Sequence, residues 1–174
     1  TIPGGVPNYP VISGQLTVGA NYGGERCRTL TINNGGQVNV TGWGQISIFN
    51  DVIINTGGSL TVDKIVAGFG GNLFIFGGIL TVGGLSDFAS VSGGYMNGGS
   101  FTLKSLNFQN SSWYATGGTI YIDSPSGSDA LFDVAGTLNI NNLEITDATK
   151  VIYTGNTNIA GNFTIKQNGK FDLS

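Results

Sequence analysis

The chain has 174 residues, enough for one domain of ordinary size, with 30 glycines, 10% charged residues and a formal net charge of −3. Glycine stands well above its usual share of about 7% and charge well below about 25%. The four prolines, the lack of a Gly-X-Y period and the 40% of hydrophobic residues exclude collagen and disorder. Seven scattered Lys and Arg residues and an isoelectric point near 4.5 form no basic stripe for nucleic acid. The apolar runs fall short of the ~20 residues of a membrane helix, so no membrane insertion is expected. With no histidine and a single cysteine, Cys27, the common Ser-His-Asp, Cys-His and His-metal sites are excluded, and no metal or cofactor is expected.

Taken from the N-terminus, Pro3, Pro7 and Pro10 mark residues 1–13 as a cap, because proline cannot donate to a strand ladder. From there a Gly-x-apolar-polar-apolar pattern recurs, starting at Gly14, Gly36, Gly58, Gly78, Gly99, Gly118, Gly136 and Gly161. The intervals are 22, 22, 20, 21, 19, 18 and 25 residues. Alternation of apolar and polar residues is the period of a strand with one buried face and rules out a helix. A second apolar position usually follows five residues after the first, at Trp43, Ile65, Leu85, Leu106 and Leu143. A third apolar stretch, as at Leu30–Ile32, Val52–Ile54, Trp113-Tyr114 and Leu131–Val134, precedes the next glycine corner. Gly35, Gly57, Gly77, Gly98 and Gly117 are expected to supply the positive-φ residue of that corner.

Three short strands and three corners per ~21 residues predict an all-β fold, a single parallel β-helix over residues 1–174. About eight right-handed coils are expected over 14–174. One inner ladder would hold Leu16, Val38, Leu60, Leu80, Phe101, Ile120, Leu138 and Phe163. The next would hold Val18, Val40, Val62, Val82, Leu103, Ile122, Ile140 and Ile165. Residues 21–28, 123–129 and 146–160 read as loops projecting from the coils. The strand pattern runs to the C-terminus without a cap, so the polypeptide is expected to continue or to meet another subunit there. Ile2, Val6, Phe171 and Leu173 are the expected edges for end-to-end association into a homo-oligomer or filament.

Ten acidic residues are the remaining source of catalytic chemistry. Asp129 with Asp133, and Glu144 with Asp147, are the close pairs, and with Trp113 and Tyr114 they form a candidate site for binding or cleaving a glycan. The plainer reading, solvated corner carboxylates and packed aromatics, is preferred, and no catalytic residue is assigned. A calcium-binding roll is rejected because its Gly-Gly turns lack the required Asp. The outward column Thr17, Asn39, Thr61, Thr81, Thr102, Tyr121, Asn139 and Thr164 matches an ice-binding rank only in part. Cys27 is expected to point inward as a small apolar filler.

The opening Thr1-Ile2-Pro3 through Pro10-Val11-Ile12, followed by Cys27-Arg28-Thr29-Leu30-Thr31-Ile32 and Gly36-Gln37-Val38-Asn39-Val40, resembles the β-solenoid segments of large secreted surface proteins of Bacteroidota. The resemblance covers nearly the whole chain and consists of repeat grammar. It implies an extracellular, cell-surface protein without enzymatic activity, a rigid adhesin or filament module with surface glycans among its partners. A glycan-active β-helix and an ice-binding solenoid are the alternatives.

Overall fold

A strand with alternating apolar residues buries only one side, and a chain that turns every few residues can bring three such sides round a common interior. In the computed structural model, which describes residues 9–19, 25–42, 46–62, 67–68, 71–87, 91–109 and 112–173, these tendencies produce a parallel β-solenoid. It has about six turns of about 21 residues. The strands are β1 (Val11–Ile12), β2 (Gln15–Val18), β3 (Glu25–Cys27), β4 (Leu30–Ile32), β5 (Gln37–Val40), β6 (Ile46–Ile48), β7 (Asp51–Asn55) and β8 (Ser59–Val62). They continue as β9 (Ala67–Gly68), β10 (Asn72–Asp87), β11 (Gly93–Phe108), β12 (Tyr114–Ile140), β13 (Asn142–Ile159), β14 (Phe163–Asn168) and β15 (Phe171–Leu173). Strands β10 to β13 are long because pairing runs through the corners, so each carries more than one face.

Every strand pairing among the described residues is parallel. The first face is built from β1, β4, β7 and the starts of β10, β11 and β12. The second begins with β2, β5 and β8 and continues through residues 79–82, 100–103, 119–122 and 142–145 to β14. The third contains β9, residues 105–108, 129–134 and 150–154, and β15. Strands β3 and β6 form a separate two-stranded ladder. Val11 and Ile12, inside the expected cap, already pair with Thr31 and Ile32 as a rung. About eight coils are expected from the glycine pattern, and the second face does carry eight rungs. The turns themselves number about six, fewer than the eight expected.

The second-face core ladder runs Leu16, Val38, Leu60, Leu80, Phe101, Ile120, Leu143, Phe163. The expected seventh members, Leu138 and Ile140, are displaced. They lie on the first face, in register with Thr157 and Ile159, while Leu143 and Ile145 stand on Ile120 and Ile122. The cause lies in the corner. Asn141 and Asn142 both donate from Nδ2 to the Gly118 carbonyl, at 3.2 and 3.0 Å, and the Asn162 amide donates to Asn142 Oδ1 at 2.8 Å. Two asparagines thus serve as the coil corner where the repeat shows a glycine. The irregular intervals of 18 and 25 residues become 23, from Thr119 to Asn142, and 20, from Leu143 to Phe163.

The same shift removes a predicted loop. Residues 146–160 are not an insertion, because residues 150–154 pair on the third face and 156–159 on the first. Of the stretch 21–28, residues 25–27 form β3 and 20–24 lie outside the described residues. The stretch 123–129 is absorbed within β12 by a register shift between Ser124 and Asp129. The corner glycines Gly35, Gly57 and Gly77 have φ of 77°, 76° and 77°, but in the next two coils the left-handed residue is Gly99 (81°) and then Gly118 (76°), not Gly98 or Gly117. A register slip between Ile75 and Phe76, which brings Phe76 opposite Gly98, moves the corner by one residue.

Inside, Ile32, Val38, Ile54, Leu60, Leu73, Ile75, Leu80 and Met96 are fully buried, each worth about 1.5–3 kcal/mol by removal from water. Phe163 and Ile165 hold inner positions of the same ladders yet are 44% and 46% exposed, because β14 has a described neighbour on one side only. The adjacent residues Ile79, 49% exposed, and Leu80, fully buried, give a direct check of register. Leu80→Ala is expected to lower the unfolding free energy by about 2–5 kcal/mol in urea titration. Ile79→Ala should change it by about 0.5 kcal/mol or less. Equal losses at the two positions would contradict the alternation.

Candidate functional site

The four predicted acids sit on successive coils but on different faces. Asp129 and Asp133 belong to the third face, Glu144 to the second, and Asp147 follows the corner, in register with Asp123 of the preceding coil. Asp133 and Glu144 have side-chain partners. Asp133 is half-buried and accepts from Thr154 Oγ1 and from Gln109 Nε2 at 3.3 Å; the same Gln109 amide donates to Asn107 Oδ1 at 2.8 Å. Glu144 lies 3.6 Å from Lys166 Nζ. Asp129 is exposed, and its backbone partner Lys150 directs its ammonium to Asp172 at 2.5 Å. Among the described residues no group of three or more His, Cys, Asp or Glu side chains is placed to hold a metal ion.

Trp113 and Tyr114 are neighbours in sequence that point to opposite sides of the first face. Trp113 is buried, so it is not a platform for a ligand: its indole N–H donates to the Leu73 carbonyl at 2.9 Å and its ring meets Phe101 edge-on at 6.3 Å. Tyr114 is 41% exposed and stacks on Tyr95, centroids 5.7 Å apart and planes 15° apart. Tyr95 in turn meets Phe74 at 5.7 Å and Phe76 at 5.4 Å, both edge-on, and these two stack on each other at 5.7 Å. Register produces this cluster, since Ile53, Phe74, Tyr95 and Tyr114 occupy one outward column on four consecutive rungs. Sequence reading singles out Tyr114 but leaves Tyr95, Phe74 and Phe76 unassigned. In the run Leu73-Phe74-Ile75-Phe76 every residue is apolar, and only pairing with β7 decides which two face out.

The outward column of the second face reads Thr17, Asn39, Thr61, Thr81, Thr102, Tyr121, Glu144 and Thr164, with Glu144 where Asn139 is expected. Cys27 is buried, as expected, and burial raises its thiol pKa. Of the predicted association edges, Phe171 is half-buried against Tyr153 at 5.6 Å and Phe163 at 5.1 Å. Ile2 and Val6 lie outside the described residues, as does the side chain of Leu173. No helix among the described residues is long and apolar enough to cross a membrane. Compared with protein families, curated proteins and solved structures, the chain matches none at a significant level.

Trp113→Phe is expected to cost about 1–3 kcal/mol through the lost indole hydrogen bond, measured by urea unfolding. A neutral result would show that the indole is not held as described. A second expectation concerns pH. Asp172 beside Lys150, by hydrogen bond and then by charge, holds the lysine pKa above its ordinary 10.5. The folded state therefore prefers the protonated amine, and this contribution is complete below 10.5 and lost as pH rises through the raised value. Its size is small because the pair is exposed. Alkaline unfolding of the parent protein should be slightly steeper than that of Lys150→Met above this pH, and identical slopes would contradict the pairing.

Proposed function

We propose that the chain is a structural, non-catalytic module of a bacterial surface adhesin or extracellular filament, acting as a rigid rod. The observation that carries this reading is the second-face ladder, which passes from β2 to β14 through eight rungs with its inner residues in continuous register. Each coil is bonded to the next by backbone hydrogen bonds and by interlocked apolar side chains, so bending requires breaking both at once. At a rung spacing of about 4.7–4.9 Å the rod is on the order of 35 Å long. The resemblance of the repeat grammar to that of Bacteroidota surface proteins is what supports an extracellular location. Parallel rungs of one repeating pattern suit end-to-end pairing of such modules.

Antibody raised against the chain should label intact cells of the source organism without permeabilisation. Negative-stain electron microscopy and sedimentation of the purified chain should show stiff particles that associate end to end as concentration rises. Labelling that appears only after lysis would overturn the surface assignment, and a strictly monomeric particle at high concentration would remove end-to-end pairing.

A further inference from the structure

The aromatic cluster on the first face is not needed to close the core. Beneath it Leu73, Ile75, Met96 and Ala115 already seal the interior, and the equivalent outward column of the second face is filled by Thr61, Thr81 and Thr102. Four contiguous rings left partly open on an outer sheet face form an apolar patch of the kind that marks a contact site. We propose that this patch binds an uncharged glycan chain lying along the rod axis, a site independent of the rod reading.

Three features select that ligand. Phe74, Tyr95 and Tyr114 stand on consecutive rungs with neighbouring ring centroids 5.7 Å apart, close to the advance of one pyranose along an extended chain, so successive sugars meet successive rings. The rim is rich in amides: Asn55 bonds Asn33 at 2.8 Å, Asn72 bonds Asp51 at 2.8 Å, and Asn97 is exposed. Aromatic surface beside amides matches a sugar, whose C–H face is apolar and whose edge carries hydroxyls. Among the described residues the charged group at this rim is Asp51, a carboxylate held by Asn72, and the chain is net negative, so a polyanionic glycan is disfavoured. A second copy is the weaker occupant, because four partly open rings fall well short of the ≈ 20–30 residues a side of a stable protein interface.

The test is isothermal titration of the whole chain with cello-, laminari-, xylo- and chito-oligosaccharides, with oligogalacturonate as the anionic arm. Saturable binding of at least one neutral series is expected. Tyr114→Ala, at the most open ring, and Tyr95→Ala should each weaken it about tenfold or more. Tyr121→Ala on the second face should leave it unchanged. Thermal unfolding of each variant separates lost binding from lost fold, and Tyr114→Ala keeps the test decisive if Tyr95→Ala unfolds. Silence across all neutral series, preference for oligogalacturonate, or equal loss in Tyr121→Ala would overturn the proposal. So would a concentration-dependent dimer that Tyr114→Ala abolishes, since the patch would then be a contact between copies.

Discussion

Each inner side chain of this solenoid stands on the one a coil below it, and the rest of the structure depends on that contact. A coil of about 21 residues has too few apolar groups to shield one another from water, so its burial is supplied by its neighbours. Stacking therefore sets register, and register sets everything else. Leu60 is buried because Val38 and Leu80 flank it, whereas Phe163, of equal or greater apolarity, is open because it has a described neighbour on one side only.

Once the inner columns are occupied, the outer columns are free of any packing duty, and they show what the chain does with that freedom. Some are amide ladders that tie coils together from outside, as at Asn33 with Asn55, Asn139 with Asn158 and Gln15 with Gln37. Others place charge against charge, as Lys150 with Asp172. One gathers rings. On a solenoid whose interior is packed, the outer columns are the surface offered to a partner, and a column repeats at the rung spacing. A partner that also repeats at that spacing is met at several points at once.

The fold was largely legible in the sequence, and the places where it was not share one cause. Glycine before an alternating triplet located most rungs, but Gly136 carries the same signature as the true corners and is not one of them. Asparagine side chains at 141 and 142 accept the corner instead, a substitution that becomes visible only when the Gly118 carbonyl they bond is in place. One misplaced corner then moved Leu138 and Ile140 to another face and made an ordinary coil read as a loop. For the candidate site less was legible. Trp113 and Tyr114 carry no local signal for which ring turns inward, and the acids, adjacent in the repeat, are distributed over different faces.

What the sequence determined by itself is what depends on local steric and hydrophobic pattern: strands rather than helices, the turn every few residues, the coil length and the buried column from Leu16 to Ile120. Alternation and glycine corners act within a few residues of chain and need no distant partner. What only the tertiary structure decided is which coil position stands on which, because register is a property of two chain segments about 21 residues apart. A one-residue slip at Gly98 or a corner made by asparagine changes the face a side chain occupies without changing its neighbours in sequence. The aromatic patch of Phe74, Phe76, Tyr95 and Tyr114 exists at that level alone.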